Sequence, residues 1–517
     1  MLLDQSTISI LTVGILTVAA SVYIVLKPRA RPEGSPPIAP HCLPILGHIL
    51  VLLRGSLVFT KKLFEGIDTD VVVLKIPGGF NAYLIRGPEY ARKVFTSSAN
   101  TRHANPDGLK NLDMDHGILF NSNVPTWKRN RKILIESIAR PRFIRSLAPK
   151  INHSMAQICR LLDSVDENQP STPVLANILF NSISLDIIFD IVFSENRHAT
   201  ESYLTSLLDQ RQVKDKGPKK HDNFIELIHG SMDAVQFFLS VPRFFYTYIP
   251  GYTHGATKHR KVIHDWNMAI QSLIDQKALE INNRRDNTPE TDDLVTTLLL
   301  GCDATEKLSI LHVIKEAIGG GTDTSSNTMS FMLYELAKNP SINQEIYSEI
   351  LQHIGPTADF TAENITQLKF LEAAINETLR LHNVAPVAQR KLSDDLVLGA
   401  YTLKKDAIAL VTTRQNHILE GLWEDPLVFN PSRFLEDSSC KKDLGGPFGF
   451  GFKYVPFGYG VRKCPGESLA MMEMKLVLAN LIRRYTFVLV NPSEPLQLQE
   501  TLTVECLDLP VYFNRRL

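Results

Sequence analysis

The stretch Pro456-Phe-Gly-Tyr-Gly-Val-Arg-Lys-Cys-Pro-Gly466 decides how the rest of the chain is read. Cys464 is its centre, with Phe457 seven residues before it, Gly460 four before, Arg462 two before and Gly466 two after. A free thiol is mostly protonated at neutral pH, so a metal-binding cysteine needs surroundings that favour the thiolate. Glycines at 458, 460 and 466 allow backbone N–H groups to turn toward the sulfur. From Glu467 to Tyr485, Leu469, Met472, Leu476 and Ala479 recur at helical spacing and predict a helix. Its positive N-terminal end would stabilise a thiolate just ahead of it. Phe457 offers a flat apolar wall, and Arg462 a cation able to hold a carboxylate.

A lone cysteine is more often a small buried hydrophobe than a ligand. Five spaced residues of the right types change that balance. A sulfur ligand, an aromatic wall and a carboxylate clamp describe a haem-thiolate site. The stretch resembles the haem-binding loop of the cytochrome P-450 family, whose pattern is Phe-x-x-Gly-x-Arg-x-Cys-x-Gly. Phe457, Gly460, Arg462, Cys464 and Gly466 match every fixed position. The resemblance implies a mainly α fold with a small β region. It also implies Cys464 as the axial ligand to the iron of heme b (iron protoporphyrin IX), with Phe457, Arg462 and Gly466 around that cofactor.

Composition sets wider bounds. Of 517 residues, 44% are apolar and 21% charged, which is ordinary for a globular chain. The formal net charge is zero, so the overall balance does not point to nucleic acid. Six cysteines are scattered with no Cys-x-x-Cys, which argues against a zinc site or a disulfide framework.

Ile8–Leu26 is apolar and carries no charge. As a helix it would span about 28 Å, close to the hydrocarbon thickness. A cleaved signal peptide is the competing reading, but Met1–Thr7 carries only Asp4 and no positive charge. Lys27, Arg29 and Arg31 follow the run, which keeps the C-terminal side cytoplasmic. The expected division is a luminal 1–7, a transmembrane anchor 8–26, a basic and proline-rich hinge 27–48, and a catalytic domain 49–517. Pro36, Pro37, Pro40 and Pro44 make the hinge stiff and extended. It resembles the hinge of membrane-bound members of the family.

Two β-rich runs in Thr69–Ile85 predict a hairpin, and Gly87–Thr96 a helix. Thr101–Asn123 reads as a long loop, which in a compact domain is usually functional. Trp127 and Arg131, four apart at the start of a helix to about Ala139, share one face. The family resemblance makes both of them clamps for a haem propionate. Ser146 to about Ala304 is mostly amphipathic helix without a chemical motif. Its Phe237, Phe238, Phe244 and Phe245 are candidates for pocket lining, with ordinary core as the commoner role.

Thr305–Lys338 is a long helical pattern interrupted by Gly319-Gly-Gly-Thr-Asp-Thr-Ser325. Each glycine inside a helix costs roughly 1 kcal/mol relative to alanine, which stability alone does not explain. Thr324 stands four after Gly320, so its hydroxyl can take the Gly320 carbonyl and loosen the helix there. The stretch resembles the family's Ala/Gly-Gly-x-Asp/Glu-Thr-Thr/Ser signature. That implies an oxygen groove at Gly320 and Gly321, with Asp323 and Thr324 as the catalytic proton relay. A simple packed kink is the competing explanation.

Phe370–Leu381 predicts another helix, with Glu377 and Arg380 three apart. A solvated pair is the usual explanation of such spacing. The order of motifs resembles the family, in which Glu377, Arg380 and Arg433 of Pro431-Ser-Arg-Phe434 form a buried network that fixes the cysteine loop. The resemblance places Arg390 on the second propionate. Thr412–Pro426 and the late Pro386 depart from the commoner family pattern near the substrate pocket.

The resemblance implies a haem-thiolate monooxygenase at the endoplasmic reticulum membrane, single-pass, with its catalytic domain cytoplasmic. It would insert one oxygen atom of O2 into a lipophilic small molecule such as a steroid, terpenoid or fatty acid, most simply by hydroxylation. Electrons would come from NADPH through NADPH–cytochrome P-450 reductase, with cytochrome b5 a second candidate donor. Membrane lipid is the further implied partner. Lys128, Arg129, Lys132, Lys453 and Lys463 are candidates for a basic docking face. Two alternatives stand beside it: an isomerase or dehydratase of the same fold acting on a hydroperoxide without a reductase, and a non-enzymatic haem sensor or carrier.

Overall fold

The computed structural model describes residues 34–43, 47–52, 55, 60–76, 80–97, 112, 114, 116–168, 172–209, 223–241, 243–283, 293–301, 307–436 and 449–516. The anchor expected over Ile8–Leu26 lies outside them, as does most of the Thr101–Asn123 loop.

The predicted hairpin forms as β1 (Val71–Ile76) and β2 (Phe80–Ile85), in antiparallel register from Val71 opposite Ile85 to Ile76 opposite Phe80. The proline-rich segment runs beside it. Val73 donates to the Pro37 carbonyl at 2.8 Å, and Ala39 donates to the Val73 carbonyl at 3.0 Å. This stretch therefore lies along the sheet edge. The helix α1 (Pro88–Thr96) follows, with Pro88 opening it.

Asn123 caps α2 (Val124–Ile138), its side chain accepting from the Thr126 N–H at 3.1 Å. Next come α3 (Pro141–Asn168), the short β3 (Val174–Leu175) and α4 (Ala176–Phe193). Of the eighteen residues of α4, only Asp190 is not buried. A helix apolar on all sides needs partners on all sides. Among the described residues α4 is the one helix long and apolar enough to cross a membrane, yet 94% of it is buried inside the fold.

The helices α5 (Asn223–Ser240) and α6 (Pro250–Asn283) pack on each other. Phe238 is fully buried, whereas Phe244, in the short helix between them, is 60% exposed. The long helix α7 (Lys307–Lys338) crosses the molecule against α4. The helix α8 (Lys369–Leu381), β4 (Ala388–Lys391) and β5 (Ile408–Val411) follow. Strand β5 runs parallel to β2 and antiparallel to β4, giving a four-stranded sheet in the order β1-β2-β5-β4.

Helix α9 (Glu467–Arg484) leads into β6 (Tyr485–Leu489), then β7 (Gln497–Glu500), β8 (Val504–Leu507) and β9 (Pro510–Arg515). Strands β7 and β8 pair as a hairpin, and β9 joins β3 and β6. The main core gathers around α3, α4, α7, α8 and α9. Helices dominate and the sheets are small, as the sequence led us to expect.

Candidate active site

The loop ahead of α9 turns on two glycines. Gly458 has φ 69° and Gly460 φ 75°, conformations that favour glycine. At Gly460 space adds a second demand, because a Cβ would sit 2.7 Å from the Phe95 carbonyl oxygen. Gly466 is different. Its φ of −92° suits any residue, and a Cβ would make ordinary contact with Cys464 Sγ at 3.9 Å. The Cys464 N–H donates to the Phe457 carbonyl at 2.9 Å, while the Cys464 side chain is exposed.

Arg462 is buried beside it. Its Nη1 and Nη2 donate to the carbonyls of Ile118 and Asn121 at 3.3 and 3.2 Å, and its guanidinium lies 3.7 Å from the centre of the Trp127 ring. Trp127 is 3% exposed, yet its Nε1 has no hydrogen-bond partner among the described residues. Arg131 donates to the Lys463 carbonyl at 2.5 Å. Desolvation lowers the pKa of Arg131, and the charge of Cys464 acts the other way. Arg390 is buried over the Phe95 ring at 5.2 Å and reaches the Tyr459 carbonyl at 3.5 Å. The structure thus brings Trp127 and Arg131 of α2 and Arg390 of β4 to the loop that carries Arg462 and Cys464.

Helix α7 faces this loop through the segment 118–121. The Glu316 carboxylate accepts from the backbone N–H groups of Ile118 and Leu119 at 2.5 and 2.7 Å. Burial raises its pKa to about 6. Arg462 holds the carbonyls of Ile118 and Asn121 in the same segment, so Glu316 takes its N–H groups and Arg462 its carbonyls. One turn past Glu316, Gly320 is exposed in the middle of a largely buried helix, with nothing within 4 Å of where its Cβ would be. The Thr324 hydroxyl donates to the Gly320 carbonyl at 2.8 Å, the bond expected from the sequence. The helix nevertheless runs unbroken through Gly319–Ser325, so the expected opening takes the form of this shared carbonyl rather than a break.

One expectation about α7 is corrected. Gly321 does not belong to a groove: a Cβ there would meet Ile188 Cδ1 at 2.7 Å, so its absence lets α7 approach α4. Asp323 stands next to Thr324 in the chain, about 100° round the helix. It is 1% exposed, and its Oδ1 accepts from Asn327 Nδ2 at 3.1 Å.

The expected network is present. Arg380 Nε and Nη2 donate to Glu377 at 2.7 and 2.8 Å, and Arg433 Nε donates at 3.3 Å. Arg380 Nη1 also donates to the carbonyls of His417 and Pro426 at 2.9 and 2.7 Å. The Asn430 N–H completes the shell of Glu377 at 2.8 Å. Sequence reasoning missed His417. It is fully buried, and its Nε2 accepts from the Val455 N–H at 2.9 Å, tying the network to the start of the cysteine loop. Burial and Arg380 drive its pKa down to about 3, so it is neutral. Sequence reasoning missed Glu316 as well, although an acid four residues before Gly320 on the same helix face was a signal that could have found it.

These residues fit a haem. An exposed sulfur, an unpartnered indole N–H and three arginines around one loop suit a group that is apolar in the plane and anionic at one edge.

The fold is shared with the solved structure of retinoic acid bound cyanobacterial CYP120A1. It matches with a TM-score of 0.72 at 21% identity, over 94% of this chain and 100% of that one. Cytochrome P450 82A2 of Glycine max is 25% identical, over 97% of this chain and 94% of its own. The melianol synthase CYP71BQ5 of Azadirachta indica is 26% identical, over 92% and 91%. The mitochondrial 25-hydroxyvitamin D-1 alpha hydroxylase of Rattus norvegicus is 25% identical, over 78% and 76%. The model of the family described as Cytochrome P450 matches residues 36–512, and the chain belongs to that family. It is a P450 monooxygenase, and the family implies a haem cofactor.

Proposed function

We propose that this chain is a membrane-tethered hydroxylase in which Cys464 supplies the axial thiolate to heme b. When bound, the haem supplies the activation of dioxygen, and one oxygen atom enters a lipophilic substrate. Trp127, Arg131, Arg390 and Arg462 hold the propionates, and Phe457 packs beside the ring. The relatives named for melianol and for 25-hydroxyvitamin D support a small organic substrate of the steroid, terpenoid or fatty-acid kind.

One observation carries the reading. The exposed Gly320 and the Thr324 hydroxyl on its carbonyl lie on an open face of α7, and Glu316 joins that helix through 118–121 to Arg462 beside Cys464. Thr324 orients a proton at that face, and Asp323 is the acid that replenishes it. A sensor or carrier has no use for this pair.

Electrons come from NADPH by way of a reductase, with cytochrome b5 as a second donor. Lys128, Arg129 and Lys132 stay exposed and support a docking face. Lys453 and Lys463 support it less: Lys453 lies over the Trp423 ring at 4.4 Å, and Lys463 pairs with Glu467. The composition of Ile8–Leu26 and the basic residues after it support a tether on the cytoplasmic face of the endoplasmic reticulum.

The test is turnover of a panel of lipophilic compounds with reductase, NADPH and isotopically labelled dioxygen. The proposal predicts NADPH-dependent products carrying one labelled atom. Rearrangement of a hydroperoxide without NADPH, and no label in any product, would point to the isomerase or dehydratase instead.

A further inference from the structure

Asp323 belongs to a cluster of polar side chains that the motif itself does not foreshadow. Its members come from α5, α7 and the β7–β8 hairpin. His229 Nε2 lies 4.0 Å from Asp323 Oδ1, and single atoms of His229, Asp323 and Glu505 all lie within 4.8 Å of one another. Asp323 and Glu505 are 1% and 4% exposed. Asp323 Oδ2 has no well-formed hydrogen bond among the described residues, and the nearby Thr503 side chain acts to lower the carboxyl's pKa against burial. Asn327 fixes the opposite edge, donating to Asp323 Oδ1 and accepting from the Cys506 N–H at 2.8 Å.

Two carboxylates this close in a dry site cannot both hold charge. Either a metal or a proton resolves the conflict. Ligand atoms bonded at about 2.1 Å to one ion stand roughly 3 to 3.5 Å apart, tighter than the 4.0 Å between His229 Nε2 and Asp323 Oδ1. No cation of lysine or arginine pairs with Asp323 or Glu505 among the described residues.

We propose that Asp323 and Glu505 hold one proton in common, and that His229 exchanges it with solvent, making Glu505 and His229 working parts of the acid that serves the oxygen site. This rests on the reading of Asp323 as the acid of the reaction. A proton passes from water to His229, and from His229 to the carboxyl pair; no electron moves. The side chain of His229 is 23% exposed and supplies the way in. Asp233 of α5 stands beside His229 and Glu505, accepts from Gln499 Nε2 at 3.5 Å, and is faced by His259 of α6. Burial raises both carboxyls above their ordinary range, and the charges of Asp323 and Asp233 push Glu505 further. Burial lowers His229, which keeps it a neutral acceptor at neutral pH.

The test is infrared difference titration of the haem-loaded full chain, read beside product formed per NADPH consumed. One buried protonated carboxyl band should persist through neutral pH, and both Glu505→Gln and Asp323→Asn should remove or shift it. His229→Phe should slow its exchange on transfer to heavy water, and Glu505→Gln should lower the yield per NADPH. The wild-type titration stands even if a variant fails to fold: no such band at neutral pH overturns the proposal. If Asp323→Asn lowers the yield while Glu505→Gln changes neither band nor yield, the shared proton is wrong and the acid role of Asp323 stands. If Asp323→Asn leaves turnover intact, the underlying reading falls and the relay with it. A divalent ion kept through dialysis and lost in Glu505→Gln would put a metal in place of the proton and overturn the proposal.

Discussion

Glu377 and Asp323 are both buried carboxyl groups on long helices, and their surroundings differ in kind. Glu377 Oε1 accepts from Arg380, Arg433 and the Asn430 N–H, and its Oε2 accepts from Arg380 Nε. Two guanidinium groups balance one carboxylate, and Arg380 spends its remaining donors on carbonyls of the loop that follows. Asp323 has one amide donor, a second carboxyl and a neutral histidine. A fully paired cluster in low dielectric fixes a shape. An incompletely paired one leaves a proton free to move. A buried carboxyl thus fixes structure in the first setting and, in the reaction proposed above, carries a proton in the second.

That contrast breaks first at Arg380. Arg380→Ala strands the Glu377 carboxylate in the interior and should cost about 3–5 kcal/mol. Denaturant melts and haem content should show a protein that no longer retains haem; normal haem content would contradict the scaffold role. Asp323→Asn comes next. It keeps the shape of the side chain, so folding and haem content should hold while turnover falls by about 100-fold.

The third test uses pH. Asp323 and Glu505 have folded-state pKa values raised by burial. The stability they contribute is therefore fully present below the ordinary carboxyl range, near pH 4, and is lost as pH rises through the raised values. Unfolding midpoints should fall on the alkaline side, and Glu505→Gln should flatten that slope by about 1–2 kcal/mol. An unchanged profile in Glu505→Gln would contradict a raised, shared carboxyl at this site. The smallest effect is expected at the exposed pair of Lys404 and Asp395, 2.8 Å apart. Lys404→Ala should not shift the unfolding midpoint measurably, because solvent already screens both charges.

Local rules read well from sequence. The spacing of Trp127 and Arg131, of Glu377 and Arg380, and of Gly320 and Thr324 each follows from helical period, and each meets its expected geometry. Contacts between distant segments did not read. His229 and Glu505 are brought to Asp323 by the packing of α5 and of a C-terminal hairpin, and neither carries a pattern of its own. Gly321 shows the same limit at short range: three adjacent glycines look alike until the neighbouring helix places Ile188 over one of them. His417 was hidden because a lone histidine in a short helix carries no signal until Val455 is seen to donate to it.

The account depends most on Cys464 as a thiolate ligand, and the reduced carbon monoxide difference spectrum of the haem-loaded protein tests it most directly. The wild type should show the red-shifted band of a thiolate-ligated haem, and Cys464→Ser should lose it. A folded, haem-loaded wild type without that band would contradict the assignment of Cys464 and the reaction built on it.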